Sequence, residues 1–163
     1  MAAAEHKEIV GVLHNIRSIH NVASIFRTAD GAQVAKIYLC GITPTPLDRF
    51  KKVRTAFEKV SLGAEKTIPW EHNSSTKEIL AKLKEENFYI VALEQAPKAR
   101  LYTKSFSHKK IALIVGNEVE GIKKETLALA DEVIEIPMYG KKESLNVSVA
   151  FGIAIYQIRT SKP

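Results

Sequence analysis

Short apolar runs separated by helical patterns constrain the fold of this chain more than any other feature of its sequence. Residues 88–93 and 111–115 are apolar at nearly every position, which is typical of strands in a parallel sheet whose two faces are both covered. Residues 8–13, 36–42 and 133–136 are further β-rich runs. Strand and helix alternate along the chain, and this alternation predicts an α/β fold built on a parallel sheet.

The segments between these runs carry helix start and stop signals. From Asn21 the apolar residues fall on one helical face, with Asn21 placed as the N-cap and Gly31 just past the end. The capping-box pattern from Ser75 to Glu78 opens a second helix, and residues 122–130 form a third predicted helix. Each of these helices lies between two predicted strands, as crossover connections of a parallel sheet do.

The C-terminal run, residues 147–158, gives conflicting signals. Small and large side chains alternate strictly from Ser148 to Ile155, a period that by itself favours a strand. Its length favours a helix, and so do Ser144 and Asn146 just before it, since both residue types cap helices. We predict a helix here, a choice that also depends on the family resemblance described below.

Length and charge limit the kind of protein this can be. At 163 residues the chain is predicted to form one domain over residues 1–163. Lysine and arginine outnumber aspartate and glutamate by 24 to 18, a net charge of +6, which favours a polyanionic partner such as RNA. A basic protein that is merely soluble would carry the same charge, so composition alone leaves both explanations open.

The sequence predicts a cytoplasmic protein. Its single cysteine, Cys40, lies in an apolar run and cannot form an internal disulfide, which indicates a reducing compartment. The first eight residues lack the basic start and long apolar core of a targeting segment, and no apolar run is long enough to span a bilayer. No membrane contact is predicted.

Two basic segments are candidates for contact with nucleic acid. Residues 47–65, predicted to form a short helix and a loop over one sheet edge, carry four cations between positions 49 and 54 beside Phe50. Such a mixture suits phosphate contact and base stacking, although a charged surface with a few core anchors explains it equally well. The second segment, residues 98–110, is a polar connector with five lysine or arginine residues.

A ligand crevice is predicted at the carboxyl edge of the sheet. In open α/β sheets, ligands bind outside the C-terminal ends of the strands, so Leu93, Gly116 and Ile136 should border one crevice. Glycines at both ends of residues 116–121 permit positive φ and a close approach of backbone to ligand.

Three segments of the chain, taken together, indicate a family. Residues 21–30 read NVASIFRTAD, residues 113–122 read LIVGNEVEGI, and the third segment comprises IPMYG at 136–140 and SLNVSVA at 144–150. In this order and spacing they resemble the SpoU-type (SPOUT) ribose 2′-O-methyltransferases, which methylate tRNA or rRNA with S-adenosylmethionine. The resemblance covers nearly the whole chain. It implies helices on both faces of the parallel sheet, a C-terminal trefoil knot, and a homodimer whose active site uses residues of both subunits.

The resemblance also implies the site residues. The cofactor pocket, formed largely by backbone groups, would comprise Leu93, Gly116, Ile136, Ser144, Leu145 and Asn146. Arg27 matches the catalytic arginine of the family, and Asn21, Glu118 and Asn146 match its polar partners. Because arginine stays protonated in water, we expect Arg27 to bind the phosphate beside the target ribose and to stabilise the developing alkoxide, whether or not it also accepts the proton of the hydroxyl.

The segment that begins at Asn21 departs from the family pattern at one position. Ala23 stands where the family usually has glycine, and alanine is the better helix former, so a tighter helix start is expected. At about 100° per residue, Arg27 lies opposite the apolar face of this helix. Without the resemblance, a solvated surface arginine would be expected there.

Other classes of function fit the sequence less well. A Rossmann dinucleotide enzyme needs Gly-x-Gly-x-x-Gly after its first strand, and that pattern does not follow Leu13. The five histidines are scattered without ligand spacing, so no metal site is predicted. The remaining alternative is a catalytically inactive, basic RNA-binding module of the same fold, which the intact Arg27, Glu118, Ser144 and Asn146 argue against. Because the chain is close to a bare catalytic domain, tRNA is favoured over rRNA as substrate.

Overall fold

The computed structural model describes residues 6–162, and the first five residues, where no targeting segment is predicted, lie outside that range. Seven strands are found within it: β1 (Glu8–His14), β2 (Lys36–Cys40), β3 (Trp70–Asn73), β4 (Tyr89–Leu93), β5 (Arg100–Leu101), β6 (Lys110–Val115) and β7 (Glu132–Glu135). Six helices accompany them: α1 (Ile19–Gly31), α2 (Thr55–Ser61), α3 (Ala64–Thr67), α4 (Thr76–Glu85), α5 (Lys124–Leu127) and α6 (Val147–Thr160).

The strands form one sheet in the order β3-β2-β1-β6-β4-β7-β5. Every neighbouring pair is parallel, which confirms the predicted parallel α/β architecture. The longest register joins β1 to β6, from Glu8 opposite Lys110 to Leu13 opposite Val115. All carboxyl ends therefore lie at one edge of the sheet.

Helices cover both faces of the sheet, as the resemblance implies. On β1, Ile9 and Leu13 point into a core that includes α1 and α6, whereas Val10 and Val12 point into a second core with α4. These four side chains are at most 3% exposed. Burial on both sides explains why the central strands show continuous apolar runs and no alternation.

The C-terminal helix is confirmed. Asn146 is the N-cap of α6, and its side-chain oxygen accepts from the backbone N–H groups of Ser148 and Val149. The buried residues of α6 follow a helical spacing of three and four: Phe151, Ala154, Ile155 and Ile158. The period of two in the sequence is therefore not a strand signal. One of the small residues, Gly152, lies where α1 packs closely, since an added Cβ there would be 3.5 Å from the Thr28 side chain. The implied trefoil knot stays a prediction.

Two predicted helices have wrong boundaries. Ser18, not Asn21, caps α1, since its hydroxyl accepts from the Asn21 N–H, and Gly31 is the last helical residue. The helix predicted over residues 122–130 is only the four-residue α5. It ends early because Leu129 and Ala130 donate to the carbonyls three residues back, which tightens the chain into turns.

Two edge strands were missed by sequence reasoning. The outermost strands β3 and β5 have only four and two residues. No residue of either strand is fully buried, so neither carries the apolar signal on which a strand prediction depends. Each pairs with a strand whose apolar pattern is clear. The edge strands join the sheet through backbone hydrogen bonds, which do not depend on a side-chain pattern.

Candidate active site

A cavity of about 400 Å³ opens at the carboxyl edge of the sheet, among the loops that follow β4, β6 and β7. Its volume lies in the range of sites that bind small molecules and cofactors. The residues predicted for the cofactor pocket are all brought together in its lining: Leu93, Gly116, Ile136, Ser144, Leu145 and Asn146. This cavity is called the crevice below.

The loop after β6 is a tight turn that requires glycine at both ends. Asn117 and Gly121 exchange two backbone hydrogen bonds of 3.1 and 2.9 Å, and Gly121 has φ +66°. A Cβ on Gly116 would lie 2.5 Å from the Gly121 carbonyl carbon. The Asn117 side chain accepts from the N–H groups of Val119 and Glu120. These bonds fix the turn that presents Glu118.

Glu118 is held at the start of α1. Its carboxylate accepts from the backbone N–H of Arg17 at 3.0 Å, from that of Ser18 at 3.1 Å, and from the Asn21 amide at 3.1 Å. Partial burial alone would raise the pKa of this carboxyl, but these hydrogen bonds outweigh it and hold the pKa below its ordinary value. Glu118 is therefore an anion at neutral pH, bound to the positive end of the helix dipole.

Asn21 connects Glu118 to the start of α6. The amide of Asn146 donates to the Asn21 side-chain oxygen at 3.1 Å, while the Asn21 amide donates to Glu118. Since each amide uses its oxygen and its nitrogen for different partners, the network fixes both side-chain orientations. Asn21 is 8% exposed. We call these three residues the Glu118 network, and it joins all three sequence segments of the family resemblance.

Two further residues of the crevice were missed by sequence reasoning. Glu94 accepts from the Ile122 N–H at 2.9 Å, and the Gln95 amide donates to the Glu143 carbonyl at 2.8 Å. Both line the crevice and tie its three loops to one another. They follow the last residue of β4, so the rule that ligands bind beyond the carboxyl ends of strands could have found them.

The loop between β7 and α6 leaves backbone donors available to a ligand. Along the described part of the chain, no backbone N–H of residues 138–145 donates a hydrogen bond to protein. Met138, Ser144 and Leu145 of this loop line the crevice. Apolar walls combined with a few free polar groups are what a small-molecule site needs.

Arg27 lies outside the crevice. It follows Asn21 by six residues on α1, which puts it about 9 Å further along the axis and about 120° around it. It borders a separate cavity of about 250 Å³ between α1 and the turn from α2 to α3. The side chain is exposed, and among residues 6–162 its guanidinium has no hydrogen-bond or ion-pair partner. The structure thus unites Asn21, Glu118 and Asn146 and leaves Arg27 apart.

Within the described part of the chain, no helix combines the length and the apolar character needed to cross a bilayer. Nor do the residues described there include a group of three or more histidine, cysteine, aspartate or glutamate side chains placed to hold a metal ion.

Comparison with known proteins identifies relatives over most of the chain. The family model for the SpoU rRNA Methylase family matches residues 8–156. The 23S rRNA (guanosine-2′-O-)-methyltransferase RlmB of Escherichia coli strain K12 is 32% identical over 146 residues. That match covers 90% of this chain and 57% of the relative, so the chain spans little more than half the length of this curated protein.

Two solved structures have the same fold. The TrmH/SpoU tRNA modifying enzyme of A. aeolicus is 30% identical with a TM-score of 0.81, and the match covers 94% of this chain and 75% of that one. The AdoMet-bound rRNA methyltransferase of Sinorhizobium meliloti is 25% identical with a TM-score of 0.84, covering 95% of this chain and 57% of that one.

Proposed function

This chain belongs to the SpoU rRNA methylase family, and we propose on that basis that it transfers a methyl group from S-adenosylmethionine to a ribose 2′-OH of RNA. The observation that carries the proposal is the Glu118 network at the crevice. Its three members come from the three segments that carry the family resemblance, and they meet through hydrogen bonds of 3.1 Å.

The crevice fits S-adenosylmethionine in size and in chemistry. Leu93, Ile136 and Leu145 offer apolar contact for an adenine ring, and the free N–H groups of residues 138–145 offer donors for its polar atoms and for the amino-acid part. When bound, S-adenosylmethionine supplies a methyl group activated by a sulfonium. The AdoMet-bound S. meliloti relative supports this choice of ligand.

The Glu118 network positions the groups around the crevice. As an anion, Glu118 accepts from α1 and from Asn21, and Asn21 in turn orients Asn146 at the crevice wall. None of the three is free to rotate without losing a bond. We assign them to positioning, which can contribute several kcal/mol to lowering a transfer barrier.

Arg27 is the residue proposed to bind RNA at the reacting ribose. Its exposed guanidinium, without an ion-pair partner among residues 6–162, is available for bidentate hydrogen bonding to a phosphate. Its permanent charge would stabilise negative charge developing on the 2′-oxygen. Since arginine stays protonated, its main role is electrostatic.

The position of Arg27 supports a homodimeric enzyme. Because Arg27 does not line the crevice of its own subunit, we propose that it serves the crevice of a second copy. Exposed apolar side chains on α6 and on the loop before it are candidates for the contact between copies: Val149 is 51% exposed, Tyr156 46% and Tyr139 94%. Burying them in a dimer would remove this apolar surface from water.

We further propose that the substrate is tRNA or rRNA and that the enzyme acts in the cytoplasm. One relative is named for 23S rRNA and another for tRNA modification, so both RNAs are compared in the test, with tRNA expected to be the better substrate. A cytoplasmic enzyme is proposed, because its RNA substrates and its buried free thiol at Cys40 both suit a reducing compartment.

Transfer of a tritiated methyl group tests the proposal. The full chain is incubated with labelled S-adenosylmethionine and either tRNA or 23S rRNA, and the labelled nucleoside is identified by mass spectrometry. A 2′-O-methylated nucleoside is the expected product. If S-adenosylmethionine raises the melting temperature but neither RNA is labelled, the chain is a binding module and not an enzyme on these substrates.

A further inference from the structure

Phe50 lies exposed at the tip of a small hairpin-like turn between β2 and α2. Leu47 and Val53 form an antiparallel bridge at its base, and residues 47–53 are called the Phe50 loop below. The Phe50 side chain is 67% exposed, and one face of its ring is covered by the Arg49 guanidinium, 4.7 Å from the ring centroid. Among residues 6–162 no second ring or cation stacks on Phe50, so its other face is available to a flat, apolar partner.

The Phe50 loop is held in shape by its own hydrogen bonds. The Asp48 carboxylate accepts from the backbone N–H groups of Phe50 and Lys52 at 2.8 and 3.0 Å. The Asp48 N–H donates to the Lys52 carbonyl at 2.8 Å, and Lys51 adopts φ +60° to close the turn. An aromatic ring on a preformed turn loses little conformational freedom when it binds.

The cations of the Phe50 loop are not neutralised by the protein. Among residues 6–162, Arg49, Lys51 and Lys52 form no ion pair, and Asp48 directs one carboxylate oxygen to backbone N–H groups. The other basic segment, residues 98–110, differs: Arg100 and Lys104 pair with Glu132, and Lys110 pairs with Glu8. Free positive charge around an exposed ring therefore distinguishes the Phe50 loop.

The Phe50 loop lies at the same edge of the sheet as the crevice. The Ile42 N–H donates to the Asn15 side chain at 3.1 Å, and the Asn117 amide donates to the Asn15 carbonyl at 2.8 Å. The loops after β2, β1 and β6 are thus bonded in a row. At about 4.8 Å between neighbouring strands, the ends of β2 and β6 are about 10 Å apart.

We infer that the Phe50 loop binds a single-stranded segment of the RNA beside the methylated nucleotide. An unpaired base stacks on the open face of Phe50, and the flanking phosphates contact the neighbouring cations, chiefly Lys51 and Lys52. Aromatic rings flanked by cations bind unpaired bases in this way with little dependence on sequence. Charge complementarity and the open ring favour RNA over an apolar protein partner. The inference rests on the proposed function, because it names a part of the same RNA substrate.

The proposed stacking of a base on Phe50 is tested by measuring the RNA affinity of variants at this position. A labelled short single-stranded RNA is titrated with the full chain, and binding is followed by fluorescence anisotropy. Phe50→Ala and Phe50→Leu should weaken binding about tenfold, as expected for the loss of one stacked base. Phe50→Trp should retain it, because the variant keeps a ring. The shift in melting temperature caused by S-adenosylmethionine should be the same in all three variants and in the wild type.

Salt dependence tests the phosphate contact. Lys52→Ala should reduce the slope of log affinity against log salt by about 0.7, the value for one phosphate contact to a single strand. Lys77→Ala is the matched control. Lys77 lies exposed on α4 and has no ion-pair partner in the range 6–162, so its loss should leave the slope unchanged.

The results separate this inference from the proposed function. Wild-type RNA affinity in Phe50→Ala overturns the inference even if methyl transfer is observed. So does an altered sedimentation coefficient in Phe50→Ala with unchanged RNA affinity, which would make the loop a protein contact, and so does a wild type that fails to bind the RNA at low salt. Loss of RNA affinity in Phe50→Ala without methyl transfer by the wild type upholds the inference and refutes the proposed activity.

Discussion

Asn146 donates its side-chain amide to the side-chain oxygen of Asn21, 125 residues earlier in the chain, at 3.1 Å. This bond joins the N-cap of α6 to the first turn of α1. The same Asn21 donates to Glu118 at 3.1 Å, so the start of each helix is coupled to the turn after β6. The crevice wall is therefore one hydrogen-bonded unit, and a substitution of one member should alter the side-chain positions of the other two.

Arg27→Ala is expected to lower the rate of methyl transfer by about 100-fold or more, since it removes a charge that stabilises the transition state. S-adenosylmethionine affinity, measured by calorimetry, should not change, because Arg27 is proposed to contact RNA and not the cofactor. The free energy of unfolding should change by less than about 0.5 kcal/mol, as for other exposed positions. Arg27→Lys should recover only part of the rate, because lysine lacks the planar fork. A wild-type rate in Arg27→Ala would refute the assignment.

Asn146→Ala is expected to weaken both the fold and the cofactor site. Loss of the N-cap of α6 should cost about 1 kcal/mol of unfolding free energy, and S-adenosylmethionine should bind about tenfold more weakly, equivalent to about 1.4 kcal/mol. Ser75→Ala is the matched control, since it removes the N-cap of α4, which does not line the crevice. Denaturant unfolding and calorimetry on both variants decide the matter: equal cofactor affinity in the two would exclude a role for Asn146 in binding.

Glu118→Gln is expected to make the free energy of unfolding depend less on pH under acidic conditions. The folded protein holds the pKa of Glu118 below its ordinary value of 4.5, so the stabilisation is complete above that value and is lost as pH falls through the folded pKa. The glutamine variant should be less stable at neutral pH and should lose less stability on acidification. Urea unfolding at several values between about pH 3 and pH 7 measures this.

Glu120→Gln provides the control for that experiment. Glu120 lies exposed on the same turn, and across residues 6–162 its carboxylate has no hydrogen-bond partner. The free energy of unfolding of Glu120→Gln should vary with pH as that of the wild type does. If Glu118→Gln also follows the wild type at every pH, the bonds from Arg17, Ser18 and Asn21 do not stabilise the fold.

Gly121→Ala is expected to destabilise the turn after β6. Gly121 has φ +66°, and a Cβ there would lie 2.3 Å from a Glu94 carboxylate oxygen. Backbone strain of this kind costs about 1 to 3 kcal/mol. In Gly140→Ala the added Cβ meets no atom within 4 Å, so that variant should unfold like the wild type. Thermal unfolding compares the two, and equal melting temperatures would show that the turn tolerates a side chain.

The sequence predicted the central elements of the fold better than its edges. Strands β4 and β6 are buried on both faces and therefore carry apolar runs that local pattern reveals. Strand β5 has two exposed residues, and its place in the sheet depends on backbone pairing with β7. Similarly, Asn21 is of a residue type that commonly caps helices, but Ser18 takes that position and leaves the Asn21 side chain free for Glu118 and Asn146.

By itself, the sequence determined the parallel α/β class, the helix after Asn146 and six of the residues that line the crevice, because burial pattern, cap chemistry and family motifs are local in the chain. Only the tertiary structure decided which of the motif residues meet. Asn21, Glu118 and Asn146 share hydrogen bonds, while Arg27, on the same helix as Asn21, lies at another cavity. The physical reason is that strand order and the packing of helices on the sheet decide which distant residues meet, and neither follows from the spacing of residues along the chain.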